Sequence, residues 1–219
     1  MTNTLAAPQV QTVLSRLLAA ADEQDRTGVS PLPPGPSRDV MSPLEQAEAF
    51  EDFYIPVSPE GGQLLYALVR ASRPETVVEF GTSFGISTIY LAAAVTDNGA
   101  GRVVTTELSS KKVEAAGANL REAGLDGAVT ILPGDALQTL ATVPGPIGLV
   151  LLDGWKDLCL PVLHLLGPRL LPGAMVVADD ISFMSMADYL AYVRDPANGY
   201  VSIAFPVGDG MEISTWTGR

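Results

Sequence analysis

Apolar and polar positions along this chain fall into two regimes that change over at Thr76. Before it, residues 8–24 (PQVQTVLSRLLAAADEQ) set Val10, Val13, Leu14, Leu17 and Leu18 at helical spacing, which predicts an amphipathic helix. Residues 43–53 and 59–71 predict two more helices. Between the first and second lies SPLPPGPSRDV, Ser30 to Val40, whose prolines suit a stiff, extended connector. From Thr76 onward, apolar runs at 76–80, 102–106, 128–132, 147–152 and 174–178 predict strands. Segments 86–95, 109–123, 156–170 and 184–193 predict the helices between them. Runs such as IGLVLL and AMVVA show no polar alternation, so these strands are expected to be covered on both faces. Strand–helix alternation of this kind predicts an α/β fold with a doubly wound, mostly parallel sheet. The tail, YVSIAFPVGDGMEISTW, places two strand-like runs around Gly208-Asp209-Gly210 and predicts a closing antiparallel hairpin. The chain accordingly divides into an N-terminal helix with its Pro-rich connector, residues 1–40, and one domain, residues 41–219.

Composition narrows the chemistry. With 47% hydrophobic residues in a chain of 219, a core forms without metal or disulfide staples. Cys159 is the single cysteine and His164 the single histidine, which excludes an intramolecular disulfide, a Cys-rich zinc site and a multi-histidine metal site. A formal charge of −12 argues against nucleic acid and against anionic membrane surfaces as partners. No apolar run reaches the roughly 20 residues a bilayer span needs, and the first residues lack a basic signal-peptide region. A soluble cytoplasmic protein with a small-molecule partner is the expectation.

The loop after the first predicted strand raises the question of chemistry. Gly81-Thr82-Ser83-Phe84-Gly85 reads as G-x-S-x-G, the nucleophile elbow of a serine hydrolase. That chemistry needs a histidine base late in the chain, and His164 lies inside a predicted helix. A second reading starts from where the glycines sit. They close a strand and open a helix, where Gly81 and Gly85 let a ligand approach backbone N–H groups. Glu107 ends the next strand, the usual position of an acid that binds ribose hydroxyls. Glu79, beside the loop, needs a donor such as a ligand ammonium if it is buried. Asp135, after the third strand, either accepts from an adenine amino group or caps the next helix. An amine, a ribose and an adenine, with neither G-x-G-x-x-G nor a Walker lysine, point to S-adenosylmethionine rather than a phosphate nucleotide.

Strand four ends in LLDGWKD and strand five in VVADDI. If these strands are neighbours, Asp153, Asp179 and Asp180 approach one another, and a hard divalent cation such as Mg²⁺ resolves their repulsion. Alternatively, Asp180 caps the next helix and Asp153 lies in a solvated turn. Lys156, three residues past Asp153, is expected to have a lowered pKa in a partly dry site, as a general base requires. Trp155 either walls the cofactor pocket or belongs to the core.

Taken together, SPEGGQLLYALV, VVEFGTSFGISTIYLA, VVTTEL, LLDGWKDLCLPVL and GAMVVADDI resemble, in order and spacing, the metal-dependent, catechol O-methyltransferase-like family of S-adenosylmethionine-dependent O-methyltransferases, from Val57 to Glu212. The resemblance implies a Rossmann-like, seven-stranded class I methyltransferase fold. It implies that Val57, Glu79, Gly81, Gly85 and Ser87 line the methionine end of the cofactor, and that Glu107 holds its ribose. Asp135, Asp153 and Trp155 belong to the same cleft. Asp153, Asp179 and Asp180 would hold Mg²⁺, Lys156 would deprotonate the acceptor hydroxyl, and Glu212 would hold the second hydroxyl of a catechol or other vicinal dihydroxy compound. Two departures stand out. Asp180 replaces the family's usual asparagine, and Gly154 replaces a bulkier residue, which opens the expected pocket wall. The alternatives are a methyltransferase for a sugar or other non-catechol hydroxyl, and a non-catalytic S-adenosylmethionine-binding protein. The family's habit is compatible with a homodimer.

Overall fold

The computed structural model describes residues 3–30 and 41–218; the proline-rich connector expected at 30–40 falls almost wholly outside them. Three helices precede the sheet: α1 (Pro8–Thr27), α2 (Pro43–Ala49) and α3 (Pro59–Ser72). Each has a proline in its first turn, where a missing N–H costs nothing. Ser42 and Ser58 cap α2 and α3, Ser42 through a full capping box with Glu45.

The alternating region follows as β1 (Thr76–Phe80), α4 (Ile86–Asn98), β2 (Arg102–Glu107), α5 (Ser110–Glu122), β3 (Val129–Pro133), α6 (Ala136–Thr139), β4 (Ile147–Leu152), α7 (Cys159–Leu166), β5 (Leu170–Ala178), α8 (Ala187–Arg194), β6 (Tyr200–Phe205) and β7 (Met211–Trp216). The seven strands form one sheet in the order β3-β2-β1-β4-β5-β7-β6. The first five are mutually parallel; β7 runs antiparallel to β5, and β6 antiparallel to β7. This is the expected Rossmann-like architecture with its antiparallel close.

Side-chain alternation splits the core between the two faces of the sheet. Val77 of β1 and Leu149 and Leu151 of β4 pack with α1, α3, α4 and α5. Val78, Val150 and Leu152 pack with α7 and α8 on the other face. The helix α4 is buried from Ile86 to Val95 on every side, and its Ser87 and Thr88 are the polar exceptions in an otherwise mostly apolar run. Val10, Val13, Leu14 and Leu17 of α1 belong to the same core cluster as α4.

Several elements differ from their sequence prediction: α2 ends at Ala49 rather than at 53, α6 lies outside the predicted helical segments, and residues 184–186 form a 3₁₀ turn before α8. The helix expected at 156–170 is α-helical only over Cys159–Leu166, with 3₁₀ turns on either side. Pro161 lies in its first turn, where proline is tolerated, and Pro168 stops it after Gly167. The strand expected at 174–178 begins at Leu170, because a register shift opposite Ile147 and Leu149 absorbs Pro172 and Gly173.

Candidate active site

The strand order reverses between β1 and β4, and a ligand cleft in an open α/β sheet forms at such a switch, beyond the carboxyl ends of the strands. Here it is a cleft of about 290 Å³, with residues 81–84, 86 and 87 on one wall, 153–156 and 158 on another and the α2–α3 segment above it. Backbone bonds carry the sheet's order past the strand ends. The Asp153 N–H donates to Phe80 O at 2.9 Å and the Asp179 N–H to Leu152 O at 3.1 Å. The N–H groups of Gly81 and Thr82 both donate to Thr106 O.

At the glycine loop, Gly81 has φ +103°, and a Cβ there would lie 2.6 Å from the carbonyl oxygen of Asp153. Only glycine permits that approach of the two loops. Ser83, at φ +47°, is a strained non-glycine residue whose buried Oγ has no hydrogen-bond partner. Its N–H donates to Glu107 Oε2 at 2.8 Å, while Ser109 N–H donates to Glu107 Oε1 at 2.9 Å. The carboxylate of Glu107 is thereby fixed at the cleft wall. His164 is remote from this loop in α7, ring-edge to Tyr192 at 4.7 Å, so Ser83 has no base and the hydrolase reading falls.

Val57, Gly81, Ser87, Glu107, Asp135, Asp153 and Trp155 all line the cleft. Gly85, at φ +89°, opens α4. Asp135 caps α6, accepting from Leu137 N–H at 2.9 Å, and also lines the cleft. Glu79 lies just beneath. Fully buried, it accepts from Ser87 Oγ at 2.7 Å and Thr88 Oγ at 2.5 Å, so protein hydroxyls supply the donors expected from a ligand. Burial raises its pKa to about 7, against the pull of the Thr105, Thr88 and Ser87 hydroxyls.

At the other end, Lys156 Nζ sits 2.9 Å from both Asp153 Oδ1 and Asp180 Oδ2. Burial alone lowers the pKa of this ammonium, but the two carboxylates outweigh it and the net shift is upward. The lowered pKa expected from the sequence is therefore reversed: in this arrangement Lys156 holds its proton. Asp179 is raised to about 8, by burial first and then by repulsion from Asp153 and Asp180. Its Oδ1 accepts the Asp180 N–H at 2.9 Å, and Asp180 takes a left-handed φ of +57°. The three carboxylates do not converge on one point; among the described residues no group of three acidic, histidine or cysteine side chains is arranged to hold a metal ion.

Two further expectations are corrected. Gly154 does not open the wall, because the ring of Phe80 fills the space. A Cβ on residue 154 would lie 2.4 Å from Phe80 Cε2 and Cζ. Glu212 does not line the cleft. Opposite Ala178 in the β5–β7 ladder, it faces α8, where Arg194 grips it at 2.8 and 2.6 Å and Ser202 donates at 2.7 Å. Against burial, Arg194 and the Ser202 hydroxyl hold its pKa down.

Sequence reasoning missed Lys112, Phe80 and the place of Phe50 in the aromatic cover. Tyr54 stacks on Phe84 at 4.2 Å, and Phe50 meets Trp155 edge-on at 5.6 Å. Gln24 of α1 clasps that cover, donating to Tyr54 O at 2.9 Å and accepting from Tyr54 N–H at 2.8 Å. The signal was faint: isolated aromatics in a polar stretch, and a glutamine late in a helix.

A family model described as a methyltransferase domain matches residues 78–181, the span from β1 through the Asp179–Asp180 turn. The chain is 36% identical over 139 residues to a catechol O-methyltransferase of Mycobacterium tuberculosis, covering 63% of this chain and 62% of that protein, short of two thirds of its length. It is 30% identical over 167 residues to the probable O-methyltransferase Rv1703c of the same organism, covering 71% and 70%. The chain belongs to the catechol O-methyltransferase-like family of S-adenosylmethionine-dependent O-methyltransferases. The solved structure of cofactor-bound Rv0187 from MTB superposes with a TM-score of 0.74 at 26% identity, over 98% of this chain and 94% of that one. No helix among the described residues is long and apolar enough to cross a membrane.

Proposed function

We propose that this O-methyltransferase transfers a methyl group from S-adenosylmethionine to a hydroxyl of a small catechol or other vicinal dihydroxy compound, with a divalent cation, Mg²⁺ by its donor set, as cofactor. One observation carries the reading. A single cleft joins the Glu107 wall, suited to a ribose, to an aromatic-roofed chamber ending in Asp153, Lys156 and Asp180. The catechol O-methyltransferases among its relatives favour the catechol acceptor.

The chemistry of the donor set suits a cation, although the three carboxylates do not converge in this arrangement. Asp153, Asp179 and Asp180 offer hard oxygens only, and burial first, then repulsion among them, raises Asp153 and Asp179, a cost that a bound cation would relieve. Bound there, a divalent cation would act as a Lewis acid on an acceptor oxygen. Lys156 is the proton acceptor in this reading. When Asp153 and Asp180 are engaged elsewhere, the attraction that keeps its proton weakens, and burial is left to favour the neutral amine. Phe50, Trp155 and Tyr54 exclude water and orient an aromatic acceptor. Glu107 and Val57 would fix the donor end, and the chain's main contribution to rate is holding acceptor oxygen and methyl in line.

The test is methyl transfer from labelled S-adenosylmethionine to a panel of catechols, with Mg²⁺ and with excess EDTA. Turnover abolished by EDTA is expected. Turnover that survives EDTA removes the metal, and none on any catechol removes the acceptor.

A further inference from the structure

Two lysines line the cleft, and only Lys156 has a part in the reading above. Lys112 is the third residue of α5, inside the first helical turn, where the positive end of the helix dipole disfavours a cation. It is also buried, only 5% exposed, which for an ammonium is costly unless acceptors meet it. Helix α5 had an exposed place for a charge at the same turn: Lys111, next in sequence, is half exposed and pairs with Glu51 and Asp52.

Among the described residues Lys112 Nζ has no hydrogen-bond acceptor and no ion-pair partner. It lies over the ring of Phe84, 5.4 Å from its centre. Glu107 and Asp52 attract it from beyond ion-pair range, and burial still dominates, pushing the ammonium below its ordinary range. Glu107 has turned both oxygens to the N–H groups of Ser83 and Ser109. The stem is buried while the tip reaches the cleft, where no oxygen of the described residues meets it, so the ammonium is placed to donate to a ligand oxygen.

We propose that Lys112 is a cofactor-binding residue that donates a charge-assisted hydrogen bond to a ribose hydroxyl oxygen of the nucleoside bound at Glu107. The inference rests on assigning this end of the cleft to S-adenosylmethionine. A ribose hydroxyl carries one donor and two lone pairs. Glu107 accepts its hydrogen while Lys112 fills a lone pair, so the acid and the ammonium read the sugar together.

The experiment is calorimetric binding of S-adenosylhomocysteine and of its 2′-deoxy and 3′-deoxy analogues to the wild type, Lys112→Met and Lys112→Gln. Lys112→Met keeps the stem over Phe84; Lys112→Gln keeps a donor without the charge. Lys112→Met is expected to weaken S-adenosylhomocysteine roughly tenfold to a hundredfold, the range of a hydrogen bond to a charged group. That loss should vanish on the analogue lacking the contacted hydroxyl. Lys112→Gln should lose less and follow the same pattern. The unliganded Lys112→Met protein should melt no lower than the wild type, since a largely desolvated ammonium with no acceptor among the described residues is gone. A penalty equal on all three ligands, or absent on S-adenosylhomocysteine, overturns the role of Lys112 and leaves the cofactor assignment standing. A wild type that binds none of the three overturns the assignment and the inference with it.

Discussion

At the scale of single residues, charge compensation decides what each acid and base does. Lys156 lies between two carboxylates, so its role is testable by truncation. Lys156→Ala is expected to cut turnover by roughly 10²- to 10⁴-fold, as loss of a general base does, with S-adenosylhomocysteine affinity nearly unchanged. Equal loss of both, read by single-turnover kinetics and calorimetry, contradicts the base role. Glu79 titrates near neutrality because it is buried. Its folded pKa of about 7 lies above the unfolded value, so the native state holds a proton that the unfolded chain releases above about pH 4.5. Stability is therefore expected to fall as pH rises from about 4.5 to about 7, by up to about 3 kcal/mol from this group. Glu79→Gln should flatten that slope in urea unfolding of the unliganded protein. Phe80 and Gly154 form a third test, because one supplies the volume the other lacks. Gly154→Ala should destabilise by about 1–3 kcal/mol through overpacking, and Phe80→Leu in the same chain should recover part of it. The motif DGWKD is plain in the sequence, but a glycine reads there as open space. The ring that fills it comes from β1, 74 residues earlier in the numbering.

At the scale of elements, the most legible feature was strand position, since buried runs of Val, Leu and Ile between glycine turns have few alternatives. The strands at 76–80 and 147–152 match residue for residue. Helix ends were harder to read, as in α7, where 3₁₀ turns continue the chain's winding without α-helical hydrogen bonds. Face assignment was harder still. Glu212 lies in a GDGMEIS motif that suggests a site residue, yet alternation along β7 decides where it points. Its neighbour Met211 packs with α1, α3 and α4, so Glu212 turns toward α8 and Arg194. Helix α1 is more than an appendage in its packing. Leu17→Ala, at a site only 1% exposed, is expected to cost about 2–5 kcal/mol in urea unfolding, as for other large-to-small core changes.

At the scale of the whole molecule, the sheet order brings β1, β4 and β5 side by side, and with them the ends that carry residues 81–87, 153–156 and 179–180. A cation bound only by the folded state stabilises by mass action, about 2.7 kcal/mol at a hundredfold excess over Kd. Mg²⁺ is expected to raise the thermal midpoint of the wild type, with EDTA reversing it and Asp153→Asn abolishing it. No shift at millimolar Mg²⁺ contradicts the proposed donor set. The sequence by itself determined the α/β class, the hairpin at the end, the glycine loop and the acidic strand ends, because these depend on local period and on residues adjacent in the chain. The tertiary structure alone decided that Lys156 lies between two carboxylates, that Phe80 fills the space beside Gly154, that Glu212 faces away from the cleft and that Lys112 is buried over the Phe84 ring at the cleft wall. Each of these depends on which distant groups share a small, poorly solvated volume, and no spacing along the chain carries that information.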